Sequence, residues 1–214
     1  MGLSLNANDA RRADNITSVI RESGKYVGTI TRAEKLLSKN GVEGVGLSFK
    51  TDDGATANYL DVYTVKPGGE KLRGYSIVQA LLCCTRLRTV DDGNITFERW
   101  DSDERRMVSA TALGYPALMG KRVGFILQKE LQTNQNTGND VERMNIVAVF
   151  EASTGLTSSE ILDDKTKPER IDFIAKMVAT NPVRDTRKRA SSKPPAQTPS
   201  NSRSPEDFDD DIPF

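Results

Sequence analysis

The chain contains no histidine. That removes imidazole general bases, imidazole metal ligands and every nucleophile–histidine pair. Its only cysteines, Cys83 and Cys84, are adjacent. Neighbouring thiols seldom bridge each other, and two alone do not build a structural zinc site. Both sit in the apolar stretch Ile77–Cys84 and read as packing thiols of a reducing cytoplasm. No run approaches the ~18 apolar residues of a membrane span. The opening MGLSLNANDARR lacks the apolar core of a secretory signal.

A nucleotide-binding loop is missing too. Gly114 to Gly120-Lys121-Arg122 spaces its glycines one residue too far apart, and Arg122 stands where Ser or Thr should reach magnesium. It reads as a turn before a strand. Acidic residues gather in turns such as Asp52-Asp53-Gly54 and Asp91-Asp92-Gly93, an ordinary place for them. No catalytic residue, metal or cofactor is expected. The sequence leaves open a nuclease using metal-bound carboxylates such as Asp61.

Net charge is absent as well, with 30 basic and 30 acidic residues. The balance hides a partition. Residues 205–214 carry five acidic residues and no basic one, whereas residues 160–204 carry ten basic and six acidic. A nearly neutral body is followed by a basic connector and an acidic tip, an asymmetry that points to polyanion-related work.

What remains is mostly strand pattern. In residues 1–23, Ile16, Val19 and Ile20 fall at helical spacing. Lys25–Leu36 reads as a first strand whose alternation slips near Gly28. Val42–Thr51 is a second, with Val45, Leu47 and Phe49 on one face and Gly44, Gly46, Ser48 and Lys50 on the other; the glycines permit tight coiling. Ala57–Lys66 is a third, with Leu60, Val62 and Thr64 inward and Tyr59, Asp61 and Tyr63 outward. Tyr75–Leu87 becomes a helix, with Ser76 near its cap. Residues 88–120 hold two short strands, Ile95–Arg99 and Met107–Ala110. Val123–Thr133 and Val141–Glu151 are the fourth and fifth long strands. Helices follow at Ser158–Leu162 and at Lys167–Ala179, with Pro168 in the first turn. Residues 184–206 are nearly devoid of apolar side chains and read as disordered.

Three strands, a helix and two strands predict a mainly β chain: a five-stranded OB-fold barrel, a C-terminal helix and a disordered tail. The division is an N-terminal extension over 1–23, a binding domain over 24–180, a basic linker over 181–204 and an acidic tip over 205–214. OB-folds commonly bind single-stranded nucleic acid across strands two and three.

The terminal Asp209-Asp210-Asp211-Ile212-Pro213-Phe214 closely resembles the acidic tip of bacterial single-stranded DNA-binding proteins. The body from Gly24 to Gly155 is similar to phage-encoded members of that class, through Lys25-Tyr-Val-Gly-Thr-Ile and Gly120-Lys-Arg-Val-Gly-Phe-Ile-Leu-Gln. The resemblance implies a protein that coats single-stranded DNA during phage replication or recombination, in the host cytoplasm. It also implies a tip that docks on replication, recombination or repair enzymes, its terminal ring entering a groove and its carboxylates meeting basic residues. The residue chemistry agrees, since Phe214 offers a ring and a chain-end carboxylate.

Single-strand binders combine a basic groove with stacking aromatics. The outward tyrosines Tyr59 and Tyr63 and the irregularly placed Trp100 are the stacking candidates, ahead of Tyr26 and Tyr75. Phe49 and Phe125 fall on core faces. Phosphate candidates are Lys25, Arg32, Lys50, Lys66, Lys71, Arg73, Lys121 and Arg122, followed by Lys129 and Arg143. Self-association is compatible with this reading. The competing functions are a recombination mediator or annealing protein, the nuclease above, and an adaptor that uses only its tail.

Overall fold

The computed structural model describes residues 19–101, 103–134 and 137–187. Ile16, the linker beyond residue 187 and the whole acidic tip lie outside them. The elements run β1 (Gly24–Leu37), β2 (Glu43–Thr51), β3 (Thr56–Val65), α1 (Arg73–Cys84), β4 (Gly93–Asp101), β5 (Arg106–Gly114), a 3-10 turn (Pro116–Leu118), β6 (Arg122–Thr133), β7 (Asp140–Phe150), α2 (Ser158–Leu162), α3 (Arg170–Thr180) and β8 (Val183–Asp185). The chain is mainly β, with all eight strands in one sheet that does not close.

β1 organises the sheet because it is 14 residues long and serves several neighbours. One edge pairs with β2, which pairs in turn with β3. The other edge carries β6 along Gly24–Thr29, and β6 carries β7. Farther along, Glu34 pairs with Gly114 of β5, and β4 lies outside β5. The break in register falls between Ile30 and Arg32, later than the slip expected near Gly28. A bulge there bends the strand and re-aims its side chains, which suits a strand that changes partner at that place. β8 continues beside β6, parallel to it.

Alternation decides which faces are dry. Ile30, Leu47, Phe49, Leu60, Val123, Phe125 and Leu127 turn inward and are essentially fully buried, with Leu81 of α1 packed among them. The rings of Phe49 and Phe125 meet edge-on at 5.0 Å between centroids, a favoured aromatic geometry. A second apolar cluster forms on the opposite face. Ile126 and Phe150 are covered there by Ile171 and Val178 of α3. α3 therefore closes the outer surface over β1, β6 and β7.

The join to α3 is polar. Thr157 and Glu160 form a capping box at the start of α2, each satisfying an orphan helix donor. Glu160 is 1% exposed. It also accepts the backbone N–H groups of Glu169 and Arg170, at 2.7 and 2.8 Å. Burial alone would raise its pKa; donors from Arg170, Thr157 and Glu169 reverse that and hold it at about 2.

Several expectations are corrected. Val19 and Ile20 are not helical: Val19 forms an isolated parallel bridge with Thr56, and Ile20 is a core residue. α1 starts at Arg73 with Leu72 as N-cap and no side-chain cap, so Ser76 lies inside the helix. α3 starts at Arg170, leaving Pro168 ahead of it. The two short strands between α1 and β6 are a hairpin of nine-residue strands. The expected linker opens with the three residues of β8, held by β6.

Candidate nucleic-acid interface

α3 covers only one half of the outer sheet surface. On the other half β3 exposes its outer side chains, whereas the outward Gly44, Gly46 and Ser48 of β2 are buried. Tyr59 and Tyr63 project there, 59% and 40% exposed, while Leu60 and Val62 between them are buried. The alternation read from the sequence therefore places these tyrosines correctly. Tyr59 carries a further feature. Its φ is +58°, in the left-handed region that non-glycine residues enter at a cost. It sits at the register break between β2 and β3, so the bulge throws its ring outward.

Arg32 lies beside that ring. Its guanidinium carbon is 5.4 Å from the Tyr59 centroid and 5.3 Å from the Phe97 centroid on β4, within the range of cation–π attraction. Gly46 leaves room for it: a Cβ at that position would stand 2.8 Å from Arg32 Nη2. Arg32 is also ion-paired with Glu34 at 3.1 Å, and its side chain is 10% exposed. The expected phosphate contact becomes a buried strut that holds two aromatic rings. Phe97 has no place among the expected site residues, yet its spacing from buried Ile95 puts it on the face that meets β1.

A cleft opens where β3 and β7 come close without a ladder. Its volume is about 490 Å³, within the span of small-molecule sites. Ala57, Val141 and Met144 supply apolar wall; Tyr59 and Asp61 come from β3; Arg21 and Arg143 supply positive charge, and Lys129 pairs with Glu142 at 3.7 Å. Lys129 and Arg143, second-rank candidates in the sequence, thus meet Tyr59. Arg21 had no signal in the sequence, because only the bridge at Val19 brings it to β3. Among the described residues no three His, Cys, Asp or Glu side chains converge as metal ligands.

The remaining expected residues are scattered. Lys25 lies over the Phe150 ring and pairs with Asp172 of α3 at 3.4 Å, so it belongs to the covered half. Lys50 is exposed on β2. Lys66 pairs with Glu70 at 2.8 Å. Lys71 lies 4.2 Å from the Tyr75 centroid. Arg73 donates from Nη2 to the Val147 carbonyl at 3.4 Å. Lys121 is half-buried, and Arg122 pairs with Asp52. Trp100, 56% exposed, is opposite Met107 in the hairpin. It lies one step out of phase with Phe97, on the other face of β4. Neither thiol joins this surface: Cys84 is buried, and burial pushes its pKa up to about 12.

The arrangement offers exposed aromatic rings, a buried guanidinium that orients one of them, and a neighbouring cationic cleft. Groups of this kind can stack planar rings and attract anions. No family model and no curated protein sequence matches this chain.

Proposed function

We propose that the protein binds single-stranded DNA along the outer face of β2 and β3 and recruits other proteins through its C-terminal tip. The observation that carries this reading is the stack of Tyr59, Arg32 and Phe97 beside the basic cleft. Stacked bases contribute about 1–3 kcal/mol each and tolerate any sequence. Cations along the same path neutralise phosphates and make affinity fall with salt.

The strand order supports the same reading. β1, β2 and β3 form a meander, α1 packs under β3 and β7, and β6 and β7 return beside β1. We take this as a five-stranded OB arrangement left open between β3 and β7, with the β4–β5 hairpin as an insertion. The near-neutral body agrees with affinity that arises from local stacking rather than from a large net field. The tip, Asp209–Phe214, serves as the docking element, and the basic linker competes for it.

The test is fluorescence anisotropy of labelled oligo-dT and a matched duplex with the full chain at two salt concentrations. Salt-sensitive binding to the single strand with little to the duplex is expected. Equal binding to both, or none, would overturn the reading.

A further inference from the structure

We propose that the cleft between β3 and β7 is a nucleobase pocket in which Asp61 selects guanine. The inference rests on the single-strand reading above and adds base preference to a surface that otherwise binds any sequence.

Asp61 lines the cleft together with Tyr59, and its Oδ1 is shielded from solvent without a hydrogen-bond partner. A buried carboxylate oxygen left unpaired is destabilising. Arg32 on β1 is ion-paired with Glu34 at 3.1 Å, yet its Nε also lacks a hydrogen-bond partner. Among the described residues neither buried atom is satisfied, and the carboxylate of Asp61 is left as an acceptor that a ligand's donors can use. The remaining lining suits a nucleotide. Tyr59 has Arg32 over its ring, and a base stacks on the face Arg32 leaves free. Ala57, Val141 and Met144 form apolar wall; Arg21 and Arg143 supply positive charge for phosphate oxygens, while Lys129 is paired with Glu142 at 3.7 Å.

The chemistry of the base edges then selects. Guanine alone presents two adjacent donors on its pairing edge, N1–H and the 2-amino group, which match the two oxygens of one carboxylate. Cytosine and adenine each set one amino group beside a ring acceptor that repels the carboxylate. Thymine sets its N3–H between two carbonyls. A bidentate contact of this kind discriminates between bases, and the φ of +58° at Tyr59 is the backbone expense that keeps the stacking ring at the mouth.

The experiment compares a short labelled oligo-dT with the same strand carrying one internal dG, dA or deoxyinosine, which lacks the 2-amino group. The full chain and its Asp61→Asn variant are titrated with each. Wild type is expected to bind the dG strand about tenfold tighter than oligo-dT, with dA giving no gain and deoxyinosine losing most of it. Asp61→Asn is expected to lose the gain, read as the ratio of dG-strand to oligo-dT affinity within the same variant. Equal affinity of wild type for all four strands overturns the guanine pocket and leaves the single-strand reading standing. Failure to bind any strand overturns both. A parallel loss of oligo-dT and dG affinity in Asp61→Asn assigns the residue to the framework and overturns its selecting role. An Asp61→Ala variant separates loss of the carboxylate from any contact made by the asparagine amide.

Discussion

Tyr59 is where local backbone preference and the proposed function pull apart. A left-handed conformation costs a non-glycine residue about 1–2 kcal/mol, and an aromatic ring more than half exposed regains little of it by burial. Glycine would adopt the same φ freely, at an entropic cost of about 0.5–1 kcal/mol. Tyr59→Gly is therefore expected to raise the melting temperature by about 1–4 °C and to weaken oligo-dT binding by roughly 1–3 kcal/mol. Thermal melts and anisotropy on one preparation check both signs; a fall in stability would mean that the ring holds the bulge together. Arg32 makes the companion case. Replacement by Lys keeps the charge and loses the planar group that faces two rings. Arg32→Lys should weaken oligo-dT binding several-fold while changing the salt slope little, because its guanidinium is shielded from any phosphate.

At the scale of elements, the covering of the outer surface depends on how α2 hands over to α3. Glu160 accepts four donors, two from Thr157 at the start of α2 and two from Glu169 and Arg170 across the join. Glu160→Gln turns an amide toward N–H groups that need an acceptor, at a cost of about 1–3 kcal/mol, which urea denaturation would read as a lower midpoint. The carboxyl also ties stability to pH. Its folded pKa, about 2, lies below the 4.5 of an unperturbed Glu. Its stabilising contribution is therefore complete above about pH 4.5 and is lost as pH falls toward 2. Wild type should lose stability over that window, and Glu160→Gln should lose less. The sheet has an equally tight place at Gly124, where a Cβ would lie 2.1 Å from the Phe150 ring. Gly124→Ala should force that ring out of the second apolar cluster and lower the melting point by several degrees.

For the whole molecule, the separation of charge along the chain matters more than its sum. The acidic tip and the basic connector are tethered at high effective concentration. Removing residues 206–214 should tighten single-strand binding at low salt and have little effect at high salt, where tethered charges are screened. Unchanged affinity at low salt would remove the proposed competition between tip and DNA. Removing Phe214 alone should leave DNA binding intact and abolish docking of partner enzymes, as a pull-down with and without the residue would show.

What the sequence determined by itself is the set of faces. A period of two in Tyr59-Leu-Asp-Val-Tyr63 assigns inside and outside from local rules, and the buried Leu60 and Val62 follow it; in β2 the inward Val45, Leu47 and Phe49 are buried as read, but so are Gly44, Gly46 and Ser48 between them. The run of long strands and the helix between the third and fourth was legible for the same reason, as was the pair of exposed tyrosines. Only the tertiary structure decided which outward residues share a site. Arg32, Tyr59 and Phe97 lie on three strands that meet through long-range pairing, and the bulge after Ile30 changes where Arg32 points. The cleft joins Arg21, Asp61 and Arg143 across a seam with no hydrogen-bonded register. Lys25 left the expected set because α3, distant in sequence, settled over Phe150 beside it. Periodicity is a property of neighbouring residues, whereas a site is a property of edges brought together, and a single strand's pattern carries no information about the edge it will meet.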